Sequence, residues 1–397
     1  MGVIRYLKGL FAPPPAYAPP RPDEGADKKL GSALLDNLIG VRAMFTDSGD
    51  LIIHEVQVCG VPCAVLMCEG MVNTQTFSEM FAEPLTRLRL EKPGPDSVLD
   101  WVRHQSLLAP DQKEIHTFGE LFRFMMSGFV VLLIDGIAGG SVFGIQGFSG
   151  RSVGEPAGET NVRGSREGFS EMLRPNMSLL RRRFKSPDLI FEMTVFGDKS
   201  RTDCTLVYLR GAVSDELLRE VKYRLSKVKI DVVLESGYLQ PFLDSKPLSL
   251  FSGVGVTERP DTLCAKVAEG RVGLLVDGTP YALIVPYLFA ENFQSLDDYS
   301  HRPYFATFIR WLKYAAFALS ILLPGLYVAV GSFPPELLPA TILTSLVVSE
   351  ETTPFPLMFE ALAVFFIYEI VREAGLRMPQ AVGHAVSIVG ALVIGDA

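Results

Sequence analysis

The chain has few of the residues, and none of the short signatures, by which catalysis is recognised in a sequence. It has no phosphate-binding G-x-x-x-x-G-K loop, no G-x-G-x-x-G after a strand, no G-x-S-x-G elbow and no H-E-x-x-H. Its five histidines, His54, His104, His116, His301 and His384, are scattered, with no nucleophile or ligand partner at a recognisable spacing. Five cysteines, an odd number, suit a reducing compartment rather than a disulfide framework. Cys59, Cys63 and Cys68 lie near His54 but match no zinc spacing. EVQVCGVPCAVLMCEG reads instead as two short apolar strands around Gly60–Pro62, with the thiols in the core. The expectation is a non-enzyme with no catalytic residue, cofactor or metal.

An excess of positive charge is also lacking. Lys and Arg number 37 against 45 Asp and Glu, a net charge of -8, which argues against a nucleic-acid partner. No secretory signal is visible, because MGVIRYLKGLFAPPPAYAPP breaks into prolines after a short apolar run, and Tyr6 stands where a myristoylation site needs Ser or Thr. Long apolar runs, by contrast, are present: Trp311–Val330, Phe355–Val371 and Ala381–Ile394. A bilayer core ~30 Å thick takes roughly 20 apolar helical residues. The first run meets that length, the second nearly does, and the third is expected to continue past Ala397. Arg302, Arg310 and Lys313 precede the first span. Glu336, Glu350 and Glu351 occupy the connection to the second, and Arg372 and Arg377 follow it. That placement puts the N-terminal region in the cytoplasm. Leu337–Val348 is too short to span upright and is interfacial, re-entrant or joined to a neighbour.

The organisation expected is a flexible Pro-rich arm (1–29), a first subdomain (30–150), a second (151–300) and an incomplete membrane domain (301–397). Apolar spacing predicts a helix over Asn73–Leu90, capped by Asn73 or Thr74, and another over Thr117–Ser127 with a Thr117/Glu120 capping box. Helices are also predicted over Glu167–Lys185, disturbed at Pro175, over Ser214–Val228 and over Pro260–Glu269. Strands fall at Phe129–Ile134, Ser141–Ile145, Leu189–Phe196, Thr205–Leu209, Arg271–Val276 and Tyr281–Val285. A weak echo, FMMSGFVVLLIDG…SVFGI against AKVAEGRVGLLVDGTPYALIV, suggests two subdomains of similar build, with Asp135 and Asp277 as hairpin-turn residues. The helix and strand order points to mixed sheets. The fold class is thus an α+β cytoplasmic region of two subdomains followed by an all-α transmembrane domain.

The densest polar run is Gly154–Asp188. Its Glu155, Glu159, Arg163, Arg166, Arg181, Arg182 and Arg183 make either an inter-subdomain or inter-subunit interface or a solvated helix face. In the membrane region Glu360 is a candidate for a pore or bundle interior, because an ionisable group at that depth is costly. Glu369 lies nine residues on, about 180° around an ideal helix, near Arg372 at the span end. Pro324-Gly325 suggests a kink in the first span.

Three runs, GEPAGETNVRGSREGFSEMLRPNMSLLRRRFKSPDL, TERPDTLCAKVAEGRVGLLVDGTPYALIVP and EALAVFFIYEIVREAGLRMPQAVGHAVSIVGALVIG, resemble the A subunit of the GerA-type spore germinant receptors, a family that includes the A-type paralogue of the SpoVA operon. The resemblance runs from about Gly154 to the last residue and is looser before it. It implies a multi-pass protein of the spore inner membrane, working as a homo-oligomer beside a transporter-like B subunit and a lipoprotein C subunit. Its implied role is to turn nutrient binding into ion release as a ligand-gated channel. The alternative is a permease with a cytosolic regulatory domain. The chain departs from the family at Ser332-Phe333-Pro334-Pro335, where a His more often precedes a Pro.

Overall fold

The computed structural model describes residues 28–46, 48–105, 111–147, 156, 158–159, 164–245, 249–295, 297–332, 348 and 355–377. The arm before residue 28, the third apolar run, Phe333–Pro335, and Leu337–Val348 apart from Val348 lie outside them. The chain divides into two compact units, one ending at Asn292 and one beginning at Phe293.

The first unit holds two five-stranded sheets of one topology. Strands β1 (Leu51–Val58), β2 (Val61–Cys68), β3 (Gln112–Ile115), β4 (Val130–Ile134) and β5 (Gly140–Phe143) form the order β1-β2-β4-β5-β3. Strands β6 (Leu189–Phe196), β7 (Thr202–Leu209), β8 (Gly255–Thr257), β9 (Val272–Val276) and β10 (Ala282–Val285) repeat it as β6-β7-β9-β10-β8. Every strand pairing is antiparallel, which corrects the expectation of mixed sheets. The reason is local. Strands β3 and β4 are joined by a helix and run in one direction, but β5 inserts between them and pairs with both; β10 does the same between β8 and β9. A helical crossover signals parallel strands but does not make them neighbours.

Turn chemistry starts the first sheet. The β1–β2 hairpin closes through Cys59 and Gly60, both at positive φ (50° and 81°), the primed geometry that matches strand twist. Each sheet is then covered on both faces. Helices α1 (Leu34–Met44) and α4 (Phe118–Met125) bury Leu38, Val41, Leu121 and Met125 on one face of the first sheet. On the other face lie α2 (Thr74–Thr76, a π-segment Phe77–Ala82, and Glu83–Arg87) and α3 (Pro95–Asp100), which bury Phe81, Leu85 and Val98. The second sheet repeats the plan with α5 (Leu173–Arg183) and α7 (Pro260–Ala268) on one face and α6 (Asp215–Ser226) on the other. Double coverage is why β4 and β9 are apolar at every position and buried throughout.

The caps agree with the sequence. Asn73 accepts from the Thr76 amide at 2.9 Å, the Thr117/Glu120 capping box is formed, and Ser214 accepts from the Leu217 amide. One helix starts later than expected. Instead of Glu167–Lys185, α5 covers Leu173–Arg183, so Pro175 sits in its first turn, where its missing N–H has no helical partner to lose. Cys63, Cys68, Cys204 and Cys264 are buried. Burial pushes the thiols of Cys63 and Cys204 up to about 11 and about 12, so they stay protonated as small core residues.

The second unit contains α8 (Pro303–Ser332), unbroken through Pro324 and Gly325, and α9 (Leu357–Arg377). Among the described residues, Pro303–Gly331 is the one stretch of helix long and apolar enough to cross a membrane, with a mean hydropathy of 1.8 over an 18-residue window. Glu360, Glu369, Arg372 and Glu373 make α9 more polar.

Candidate functional site

The two sheet-bearing halves of the first unit meet around one guanidinium. Arg181, in the last turn of α5, is 1% exposed. Its Nε donates to Asp50 Oδ2 at 2.9 Å and its Nη2 to Asp50 Oδ1 at 3.0 Å, a two-pronged pair across 131 residues of sequence. Nη1 donates to the Ser186 carbonyl at 2.8 Å. The guanidinium carbon lies 4.8 Å from the Phe191 ring centroid and 5.7 Å from that of Phe45. Asp50 is itself buried and accepts from the Ser48 hydroxyl at 2.6 Å. Every charged atom is therefore matched, which a buried ion pair requires if it is not to cost more than it returns. Backbone bonds run alongside: the Gly49 amide donates to the Phe191 carbonyl at 2.8 Å, and Arg210 donates to the carbonyls of Met44 and Thr46. Arg174 pairs with Glu69 at the rim.

The other polar candidates occupy different places. Arg183 donates to Glu167 Oε2 at 2.7 Å and to the Ser165 hydroxyl at 2.9 Å, and Arg182 pairs with Glu167 Oε1 at 3.4 Å. Those contacts stay within the second half and tie the segment before α5 to its last turn. Glu159 accepts from the Thr257 hydroxyl at 2.6 Å. Burial raises its carboxyl above the ordinary range, against the pull of that hydrogen bond. Arg259, 2% exposed, reaches the same segment through the Glu159 and Ser165 carbonyls while gripping Asp261 with two bonds. Arg166 is exposed. Glu155 and Arg163 lie outside the described residues. Of these residues, Arg181 reaches across to the other half, through Asp50.

Asp50, the partner that completes the pair, was missed by sequence reasoning, although a signal was available. Written against each other from the first residues of α1 and α5, LLDNLIGVRAMF and LRPNMSLLRRRF place Asn37 opposite Asn176 and Arg42 opposite Arg181, and Asp50 and Asp188 each stand directly before the first strand of their half. Asn37 accepts from the Gly31 amide and donates to its carbonyl; Asn176 does the same with Ser170. Asp135 and Asp277, expected to be turn residues, also accept at 2.9 Å from the amides of Leu34 and Leu173, the first residues of α1 and α5. The repeat thus spans both whole halves, not the short echo alone. It diverges at the arginine, since exposed Arg42 pairs with Glu55 of its own half.

In the second unit, α8 is anchored at its start by Asp298, which is buried. Its carboxylate accepts from Arg310 Nε at 2.8 Å and faces Lys313 at 3.6 Å. Burial pushes this carboxyl up, but the Arg310 hydrogen bond and the neighbouring Lys313 charge outweigh it and hold it below its ordinary value. Glu360, in the first turn of α9, is half-buried, and Glu369 pairs with Arg372. Among the described residues, no cluster of His, Cys, Asp and Glu is arranged to hold a metal.

With this geometry in hand, the likeness to known proteins is specific. The chain is 36% identical over 371 residues to spore germination protein KA of Bacillus subtilis (strain 168), covering 93% of this chain and 68% of that one. It is 33% identical over 378 residues to the uncharacterized membrane protein YfkQ of the same organism, covering 94% of this chain and 73% of that one. Its fold is similar to the crystal structure of the N-terminal domain of the A subunit of the Bacillus megaterium spore germinant receptor GerK3, with a TM-score of 0.50 and 26% identity over 66% of this chain and 98% of that one. That structure supports the α+β region with its two sheets. The sequence model of the Bacillus/Clostridium GerA spore germination proteins matches residues 40–397, and the chain belongs to that family.

Proposed function

We propose that the chain is the A subunit of a spore germinant receptor, a multi-pass protein of the spore inner membrane that passes a nutrient signal to ion release as an oligomeric channel. In this reading residues 30–150 and 151–300 form two cytoplasmic subdomains and 301–397 belong to an all-α membrane domain. A transporter-like B subunit and a lipoprotein C subunit work beside it. The observation that carries the proposal is that the family match runs through both the two-sheet region and α8. Helix length supports membrane entry. The 30 residues of α8 rise about 45 Å, so the stretch up to Lys313 can stay outside a hydrocarbon layer of ~30 Å while the apolar remainder crosses it. Its large apolar side chains, such as Leu319, Ile321 and Leu326, are exposed, as a lipid-facing or helix-packing surface requires. Glu360 is assigned to the bundle interior on the cost of leaving a carboxylate in lipid. A permease would call for interrupted spans, and α8 is continuous through Pro324-Gly325.

Spores lacking the chain are expected to lose ion release in response to at least one nutrient, and to regain it when the chain is restored. Unchanged release to every nutrient the parent spores answer would overturn the assignment.

A further inference from the structure

Among the exposed apolar residues of the first unit are four large ones, in two sequence-adjacent pairs that a ring contact joins. The rings of Phe251 and Phe289 lie 4.4 Å apart between centroids. Beside them in sequence, Leu250 and Leu288 are 96% and 57% exposed. Each half of the patch is anchored. The Asp244 carboxylate accepts from the Ser252 hydroxyl at 2.9 Å and the Gly253 amide at 3.3 Å, and the Tyr287 amide donates to the Gly253 carbonyl at 2.8 Å. On the other side the Leu288 amide donates to Glu291 Oε2 at 2.7 Å. Glu291 is buried and paired with Lys266 at 2.7 Å and Arg271 at 2.8 Å. The polar framework thus holds two phenylalanines and two leucines outward instead of letting them fold back into the core.

We propose that this patch seats in the headgroup–acyl boundary of the bilayer that α8 enters, and so docks the cytoplasmic region on the membrane surface. The proposal rests on the membrane reading above. Two observations favour lipid over a second copy of the chain. Protein-interface anchors are enriched in Trp, Tyr and Arg and depleted in Leu, whereas Phe and Leu are what an interfacial membrane contact uses. The chain also tethers the patch. Thirteen residues lie between Phe289 and Pro303, at most about 50 Å of extended chain, and part of that is coiled in the short turns Phe289–Phe293 and Asp297–Ser300.

The test uses the full chain with its two tryptophans removed (Trp101→Phe, Trp311→Phe) and one reporter restored, reconstituted in vesicles of zwitterionic and anionic phospholipid with or without bromine on the upper acyl carbons. Phe251→Trp is expected to be quenched about twofold or more by the brominated lipid, as is Leu326→Trp within the span. A Phe251→Trp reporter that is unquenched with red-shifted emission leaves the patch in water. One that is unquenched but blue-shifted is covered by protein. Either result, with Leu326→Trp quenched, overturns the docking proposal and leaves the membrane reading standing. A Leu326→Trp reporter that is unquenched with red-shifted emission overturns both.

Discussion

Arg181 shows why a single buried ion pair decides how the two halves join. Neither member has water to fall back on, so removing one leaves the other charged and unmatched. Asp50→Ala is expected to destabilise the first unit by about 3–5 kcal/mol. Replacing the pair together by apolar residues of similar volume (Asp50→Leu with Arg181→Met) should cost much less. Urea denaturation of the detergent-solubilised protein, followed by Trp101 fluorescence with Trp311→Phe, measures both; equal losses would mean that the cost of Asp50→Ala does not come from leaving Arg181 charged and unmatched. Glu159 carries the opposite sign. Its carboxyl is raised in the folded state, so the folded state loses relative stability as pH rises through the ordinary carboxylate range. Glu159→Gln keeps an acceptor for the Thr257 hydroxyl, and is expected to be neutral or stabilising at pH 7 while flattening that part of the pH profile.

At the scale of elements, the long-range aspartates are the clearest test of the repeat. Asp135 and Asp277 each close a strand turn and also bond the first amide of the helix that opens their half. Asp135→Ala and Asp277→Ala should each cost about 1 kcal/mol, as the loss of an N-cap does, and their effects should add because the sites are distant. A loss near zero at either position would return it to the role of a plain turn residue. The anchor of α8 has a defined pH response. Asp298 is held below its ordinary value, so its contribution is present above that range and lost as pH falls through it. Hydrogen-exchange protection of the Ser295 amide, which donates to Asp298 at 3.4 Å, should be constant at neutral pH and fall only below about pH 4. Asp298→Asn should remove that dependence. What was legible here followed local chemistry. The runs FVVLLI and VGLLV with Asp-Gly behind them, the Thr117 box and the Ser214 cap each declare themselves within a few residues. Helix α1 did not, because Leu35 and Ile39 are 69% and 57% exposed and blur its apolar stripe. Strands β3 and β8 are short edge strands with too few residues to show a period.

The whole molecule was legible in outline: an α+β region in two similar parts, then a long apolar helix. The all-antiparallel order was not, because directions were inferred from the connecting helices while β5 and β10 cross between the strands those helices join. Nor was the Arg181–Asp50 contact, since the residues are separated by 131 positions and their counterparts Arg42 and Asp188 do not form the equivalent pair. The proposed activity requires that the chain, with its partner subunits, form an oligomer that conducts ions, and that Glu360 matter to that conduction. The most direct measurement is ion flux and oligomer size after reconstituting the full-length receptor in liposomes, with Glu360→Gln beside the parent. An oligomer that conducts, with flux reduced in the variant, is the predicted result; a monomer that passes no ions even with its partner subunits present would contradict it.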